Sequence, residues 1–446
     1  MTTFNDLGLD PKLLAAVEAA GYKTPSPIQQ QAIPHALAKR DVMGLAQTGT
    51  GKTAAFGLPL VHQLLQDPHD RREAKCTKAL ILAPTRELVN QIADNLKTYV
   101  QGTHMKVNTV VGGLSINKQI QTLAKGTDIL VATPGRLMDL MERRAVRLDK
   151  ATFLVLDEAD QMLDMGFIHA LRKIAPMLGT PRQTMLFSAT MPKQMEELSR
   201  AYLDDPVRVQ VAAPGKAADK ITQSIHWARD RNQKVDLLIQ HLADEPDSLS
   251  LVFGRTKHGC EKLMRTLCDE GYKAVSIHGN KSQGQRDRAL KAFRNGEARV
   301  LVATDVAARG IDIPGVSHVF NFELPEVAEN YVHRIGRTAR AGADGDAISF
   351  VSGEEIGYLR QIQKIMKIEI PVSGGTRPEE VDPPKRGGGG GGRRRGGGGG
   401  GGGRPHGGGG GGRPHGGGKP KAHGGKPGGH KSGGGKPRRS KPRRAA

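Results

Sequence analysis

The sequence predicts an α/β protein made of two tandem parallel-sheet domains, followed by a long basic tail. The chain has 446 residues, more than a single hydrophobic core usually serves. Short uninterrupted apolar runs alternate with helical patterns, as in parallel strands covered on both faces by helices. From Lys385 onward the composition changes abruptly, with 17 Lys and Arg, no Asp, Glu or aromatic residue, and about half of the 59 Gly.

In the first domain the runs are Val42–Ala46, Ala79–Ala83, Ile129–Ala132, Phe153–Leu156 and Thr184–Phe187. Periodicity stops around Ala212–Ala218, a small, Pro- and Gly-containing stretch that reads as a linker. It resumes with Leu249–Phe253, Ala274–Ile277, Val300–Ala303, Val319–Phe322 and Ala347–Val351. A helical segment, Glu354–Met366, closes the second domain near Ile370. The predicted organisation is therefore an N-terminal region 1–30, a first domain 31–210, a linker 211–220, a second domain 221–370 and a tail 371–446.

The tail carries most of the formal net charge of +21. Without apolar side chains it has too little surface to bury to offset the entropy of ordering, so disorder is expected. A flexible polycation suits a polyanionic partner, because Lys and Arg displace counterions from phosphates without reading sequence. Its histidines, His406, His415, His423 and His430, are read as pH-dependent charge. Cys76, Cys260 and Cys268 form no C-x-x-C pair, which argues against a disulfide framework or zinc site and fits a reducing cytosol. Cys260, Leu263, Met264, Leu267 and Cys268 share a helical face, which places both of these cysteines in a core. Neither a signal-like N-terminus nor an 18-residue apolar stretch occurs, so a soluble cytoplasmic chain with no membrane partner is expected.

The first predicted strand runs into Ala46-Gln47-Thr48-Gly49-Thr50-Gly51-Lys52-Thr53 and then an apolar helix. Such a loop points backbone N–H groups at phosphates, Lys52 reaches the β and γ phosphates, and the Thr53 hydroxyl is placed for Mg2+. Ala46 departs from the G-x-x-x-x-G-K-[ST] pattern, which has Gly there. The strand Phe153–Leu156 ends in Asp157-Glu158-Ala159-Asp160, at the carboxyl edge where α/β sheets bind ligands. Asp157 is placed for magnesium, and Glu158 to orient or deprotonate an attacking water. Ser188-Ala189-Thr190 ends a third strand at the same edge.

Together these residues resemble the DEAD-box RNA helicases, over residues 1 to about 370. Asp157-Glu158-Ala159-Asp160 is the motif that names that family, and Ala46 is its usual residue. The resemblance implies two RecA-like domains, ATP and Mg2+ as cofactors, and RNA as the partner. Gly21 to Gln29 looks like the family's Q motif, with Phe4 upstream; Gln29 would read the adenine edge and Tyr22 pack on its face. On the residues alone, Tyr22 and Gln29 are a turn flanking a helix. Pro84-Thr85-Arg86, Gly112-Gly113 and Thr133-Pro134-Gly135-Arg136 match motifs that contact the RNA backbone.

In the second domain, Gly254-Arg255-Thr256 resembles motif IV and the loop after it, and His278-Gly279 with Gln283 and Arg286 gives the H-G-x-x-x-Q-x-x-R pattern. Thr304-Asp305 through Arg309-Gly310-Ile311-Asp312 fits motif V, with Thr304 toward RNA and Gly310 and Asp312 toward the ribose. Among these, Arg255, Thr256, Gly279, Thr304 and Asp305 are the RNA-binding candidates. His333-Arg334-Ile335-Gly336-Arg337-Thr338-Ala339-Arg340 matches motif VI. Arg337 and Arg340, three apart along one helix face, are expected to act as arginine fingers, with Arg334 structural and His333 at the domain interface. Ser188 and Thr190 would couple domain closure to strand separation.

The expected activity is RNA-stimulated ATP hydrolysis with local, sequence-tolerant opening of short duplexes or remodelling of RNA–protein complexes. The alternatives are a DNA helicase, or an RNA-annealing or clamping protein in which the ATPase times release. The compact core with a basic low-complexity tail looks like the bacterial RhlE-type branch, with ribosomal or RNA-decay assemblies as partner classes.

Overall fold

The computed structural model describes residues 2–46, 49–67, 72–211, 221–311, 313, 315–339 and 344–381. The chain divides into two units, Met1–Pro384 and Lys385–Ala446. All described residues belong to the first. The expected linker beyond Val211 and the tail beyond Val381 lie outside the described residues, as do Gln47, Thr48, Asp312 and Arg340.

The described residues form two seven-stranded sheets, and every strand pairing is parallel. The first holds β1 (Val42–Leu45), β2 (Thr77–Leu82), β3 (Val107–Val110), β4 (Thr127–Ala132), β5 (Phe153–Leu156), β6 (Gln183–Ser188) and β7 (Val207–Gln210). Their spatial order is β3-β4-β2-β5-β6-β1-β7. The second holds β8 (Ile221–Trp227), β9 (Leu249–Phe253), β10 (Ala274–Ile277), β11 (Val300–Ala303), β12 (Val316–Asn321), β13 (Gly345–Val351) and β14 (Val372–Gly374). Its order, β10-β11-β9-β12-β13-β8-β14, repeats that of the first sheet strand for strand.

Side chains of alternate residues in a strand face opposite ways, and the apolar runs fill both faces. In the first sheet, Ile81, Val131, Val155 and Phe187 join the core on one side, and Leu82, Leu130, Leu156 and Leu186 the core on the other. The second sheet divides likewise, with Leu251, Phe253 and Val319 on one side and Val252, Val302 and Phe320 on the other. Burying each such side chain contributes roughly 1.5–3 kcal/mol, which is why uninterrupted apolar runs settle here as strands.

All ten expected strands are present. Four more, β3, β7, β8 and β14, were not expected, being richer in polar or exposed positions. Val107–Val110 contains Asn108 and Thr109, and Ile221–Trp227 alternates buried and exposed or half-buried positions. The fold does not stop at Ile370: β14 pairs with β8, and the backbone N–H of Val381 donates to Gly353 O. Cys268 also departs from expectation. It is exposed, because it sits in the last turn of the helix Lys257–Asp269, beside β10 at the sheet's edge. Cys260, two turns earlier, is buried. No described helix is long and apolar enough to cross a membrane.

Candidate active site

Because β5, β6 and β1 are neighbours, the segments that follow them emerge side by side at one carboxyl edge. Lys52 opens the helix Lys52–Leu65 and is buried; its Nζ donates to Ala46 O at 3.2 Å and lies 3.9 Å from Asp157 Oδ1. Ala46 is in turn tied to β6, its N–H donating to Ser188 O. Gly51 takes a left-handed φ of 91°, and a Cβ there would run into the Gln29 amide, so glycine is required twice over.

Asp157 is buried at the end of β5 and accepts from the N–H of Glu158. Burial pushes its carboxyl up, with the Lys52 charge opposing. Glu158 adopts a left-handed φ of 51°, a strain of roughly 1–3 kcal/mol for a non-glycine residue. Its Oε2 is buried without a hydrogen-bond partner among the described residues, and burial pushes its carboxyl up to about 7. A strained, unsatisfied carboxylate poised near neutrality is a candidate general base. The Asp157 carboxylate and the hydroxyl of Thr53, in the first turn of the same helix as Lys52, are the hard oxygen donors that Mg2+ takes.

Asp160 was not among the expected site residues, although it lies within the Asp157–Asp160 motif. Its Oδ2 accepts from the N–H of Ala189 and from both the N–H and the hydroxyl of Thr190, at 2.9–3.1 Å. Ser188 Oγ donates to Thr190 O. The Ser188–Thr190 turn is thus fastened to the same loop that carries Glu158.

The Gln29 side chain clamps the phosphate loop: its Oε1 accepts from the N–H of Ser26 and its Nε2 donates to Gly51 O. Ser26 Oγ donates to Thr50 O. Among the described residues these bonds use one Nε2 hydrogen and one Oε1 lone pair, and the amide has one more of each. Tyr22 is half-exposed, its hydroxyl 3.2 Å from that of Tyr99, and the buried Phe4 ring meets it edge-on at 6.1 Å.

The RNA candidates occupy equivalent places in the two sheets. Those of the first domain follow β3, β4 and β2, and those of the second follow β10, β11 and β9, three adjacent strands in each case. Thr85 caps the helix Arg86–Tyr99 and Thr256 caps Lys257–Asp269, while Thr133 precedes Pro134–Glu142. Arg136 donates to Leu114 O, and the Arg86 guanidinium lies against Gly113 with its Nε unpartnered. Gly135 lies beside the Phe167 ring, and Gly279 has open space around it. Arg255 lies over the Tyr358 ring.

Three of the expected site residues are engaged within the protein itself. Asp305, expected at RNA, uses both side-chain oxygens to accept from Arg334, at 2.5 and 2.8 Å, and the fully buried Arg334 also bonds Asn321 and Glu323 O. Gly310, expected at the ribose, packs on Thr85 and Leu88 of the first domain, where its φ of 70° and the close Thr85 hydroxyl exclude a side chain. Arg337 lies beyond the helix rather than on it: the helix Ala328–Ile335 ends at Gly336, and Ala339 is left-handed. From the turn, Arg337 donates to Ile311 O and His333 O, and its charge acts on Glu158. His333 is held below its usual range, mainly by burial.

Among the described residues, two ion pairs that the motifs did not announce join the domains. Arg309 meets Asp164 at 3.0 Å, and Arg286 meets Glu87 at 3.1 Å with Gln283 alongside. Their partners are far apart in the chain, so only the folded arrangement reveals them.

Residues 26–198 match the DEAD/DEAH box helicase family model and residues 233–342 the helicase conserved C-terminal domain. The chain is 44% identical to ATP-dependent RNA helicase CshA of Listeria monocytogenes over 367 residues, covering 82% of this chain and 69% of the relative. Among solved structures it is similar to Dbp5 of S. cerevisiae bound to RNA and ADP BeF3, with a TM-score of 0.75 and 33% identity over 84% of this chain and 96% of that one. It is similar also to Mss116p bound to ssRNA and AMP-PNP, with a TM-score of 0.75 and 28% identity over 86% and 80% of the two chains. With both halves of the helicase core matched in order and a relative this close, the chain belongs to the DEAD-box family of ATP-dependent RNA helicases.

Proposed function

We propose that this helicase hydrolyses ATP to ADP and phosphate in an RNA-stimulated cycle and uses it to open short RNA duplexes locally or to remodel RNA–protein complexes. The observation that carries this reading is the buried Oε2 of Glu158, unpartnered among the described residues, beside Lys52 and Asp157 and within reach of the Arg337 charge. Glu158 orients a water toward the γ-phosphorus and takes its proton, Lys52 binds the β and γ oxygens, and Arg337 counters the charge that develops on the transferring group. Thr53 and Asp157 would hold Mg2+, whose part is to neutralise phosphate charge. Gln29 and Tyr22 select adenine, and the backbone groups of Gly49, Thr50 and Gly51 face the phosphates.

Because Glu158 and Arg337 belong to different sheets, the site is complete only when the domains are together. RNA bound along the edges of β3, β4, β2 and β10, β11, β9 favours that state, and loss of the γ-phosphate releases it. Contacts through Pro84, Thr85, Arg86, Gly113, Thr133, Pro134, Gly135, Arg136, Arg255, Thr256, Gly279 and Thr304 are to the RNA backbone, hence sequence-tolerant. Ser188 and Thr190, held by Asp160, couple nucleotide state to RNA. Arg340 and Asp312 belong to this reading by motif alone. A cytoplasmic setting and the RhlE-type branch also belong to it, supported by the free cysteines and by the tail's composition.

Glu158→Gln should retain ATP and RNA binding and lose turnover; an unchanged kcat would overturn the assignment. Comparing ATPase stimulation by RNA and DNA oligomers of equal length separates the RNA from the DNA reading. If deleting 385–446 abolishes annealing and RNA binding while hydrolysis persists, the annealing reading takes over.

A further inference from the structure

The strand β10 ends in the loop His278–Ser282, which carries Gly279 toward the face assigned to RNA. Bonds within the loop, from the N–H of Lys281 to His278 O and from that of Asn280 to His278 Nδ1, shape its turn but do not tie it to the rest of the domain. That tie lies on the neighbouring helix Lys257–Asp269. There the carboxylate of Glu261 accepts from Ser276 Oγ at 2.8 Å, His278 Nε2 at 3.0 Å, Lys281 Nζ at 2.8 Å and Arg265 Nη2 at 3.3 Å. The N–H of Asn280 donates to His278 Nδ1, so the imidazole proton sits on Nε2, facing Glu261. The ring itself is buried, while Gly279 beside it stays open.

Glu261 also lies just over one turn into the helix that begins after Arg255 and Thr256. One carboxylate therefore links the segment after β9 to the loop after β10. The helix that follows the loop, Gln283–Arg294, reaches Glu87 of the first domain through Gln283 and Arg286. Displacing the loop would shift both an RNA-facing backbone segment and the start of that helix.

We infer that Glu261 is a positioning residue for RNA: it touches no RNA itself, but fixes the His278–Lys281 loop so that the backbone at Gly279 meets the strand without reorganisation. This rests on the RNA-stimulated reading above. A fixed loop binds without first losing conformational freedom, so the effect falls on RNA affinity rather than on the chemical step. Burial alone would raise the Glu261 carboxyl, but the bonds from Lys281, His278 and Ser276 outweigh it and hold it at about 2. The carboxylate consequently stays charged throughout the working range.

The test is ATPase activity of the full chain, titrated with a mixed-sequence single-stranded RNA oligonucleotide. Glu261→Ala should raise the RNA concentration for half-maximal stimulation about 10-fold, leave kcat at saturating RNA within about 2-fold, and leave the RNA-free KM for ATP unchanged. Glu261→Gln keeps an acceptor for Ser276 and His278 but loses the charge facing Lys281, and should fall between wild type and Glu261→Ala. If Glu261→Ala does not fold, Glu261→Gln carries the comparison. An unchanged RNA requirement overturns the inference, as does a fall of kcat and melting temperature in step, which marks a merely structural role. Wild type that RNA fails to stimulate sinks the RNA-stimulated reading instead.

Discussion

A single carboxylate shows how burial sets chemistry in this protein. Glu158 has a value of about 7, so in the free enzyme its base form should be lost just below neutrality, and kcat/KM for ATP should fall as pH drops through that region. The same shift makes a stability prediction. A carboxyl raised on folding adds stability that is full below its unfolded value near 4.5 and is lost as pH rises through about 7. Glu158→Gln should therefore melt above wild type at pH 8, with the gap narrowing toward pH 4.5. Melting curves at the two pH values check this, and a constant gap would contradict it. The positions of Lys52, Asp157 and Glu158 were legible because each lies within a few residues of a strand end. The left-handed backbone of Glu158 and its orphan oxygen were not, since both depend on what surrounds it.

Among the elements, ten strands were plain in the sequence because burial on both faces favours apolar side chains at most positions, with only isolated polar residues such as Ser250, Ser276 and Ser349 between them. The strands that escaped notice are edge or near-edge members, β3, β7, β8 and β14, whose partial exposure permits polar residues. A second element-level feature lies beneath the helix Arg231–Asp244. Its Lys234 is buried against Glu355 and donates to Phe322 O, while Glu355 accepts from the N–H groups of Leu324 and Ser352. Removing one partner of such a pair leaves an uncompensated charge, so Lys234→Met should cost about 3–5 kcal/mol in denaturant unfolding. Adding Glu355→Gln should recover part of that loss. A single variant as stable as wild type would mean that the pair does not hold the second domain together.

For the whole molecule, the joining ion pairs give the clearest handle on closure. Arg309→Glu should lower RNA-stimulated turnover, and Asp164→Lys in the same chain should restore part of it, because the pair is rebuilt with reversed sign. Steady-state ATPase rates of the two single variants and the double variant make the check, and strict additivity would mean that the pair plays no part. The tail acts at this scale too. Deleting 385–446 removes 17 cationic side chains, so RNA affinity should weaken and its logarithm should fall less steeply with the logarithm of salt. Binding isotherms at low and moderate salt distinguish this from a tail that does not touch RNA.

What the sequence determined by itself was local: two runs of parallel strands, a phosphate loop, an acidic strand end, and a tail too polar to build a core. These are properties of neighbouring residues, and a few residues suffice to state them. The tertiary structure decided what distant residues do to one another. It gave the two sheets one strand order, spent Asp305 on Arg334, and set Gly310 against Thr85. It ended the motif VI helix before Arg337 and brought Arg309 to Asp164. Hydrogen bonds and ion pairs act over a few ångströms of space whatever the separation in the chain, so these roles became visible only once the chain was folded.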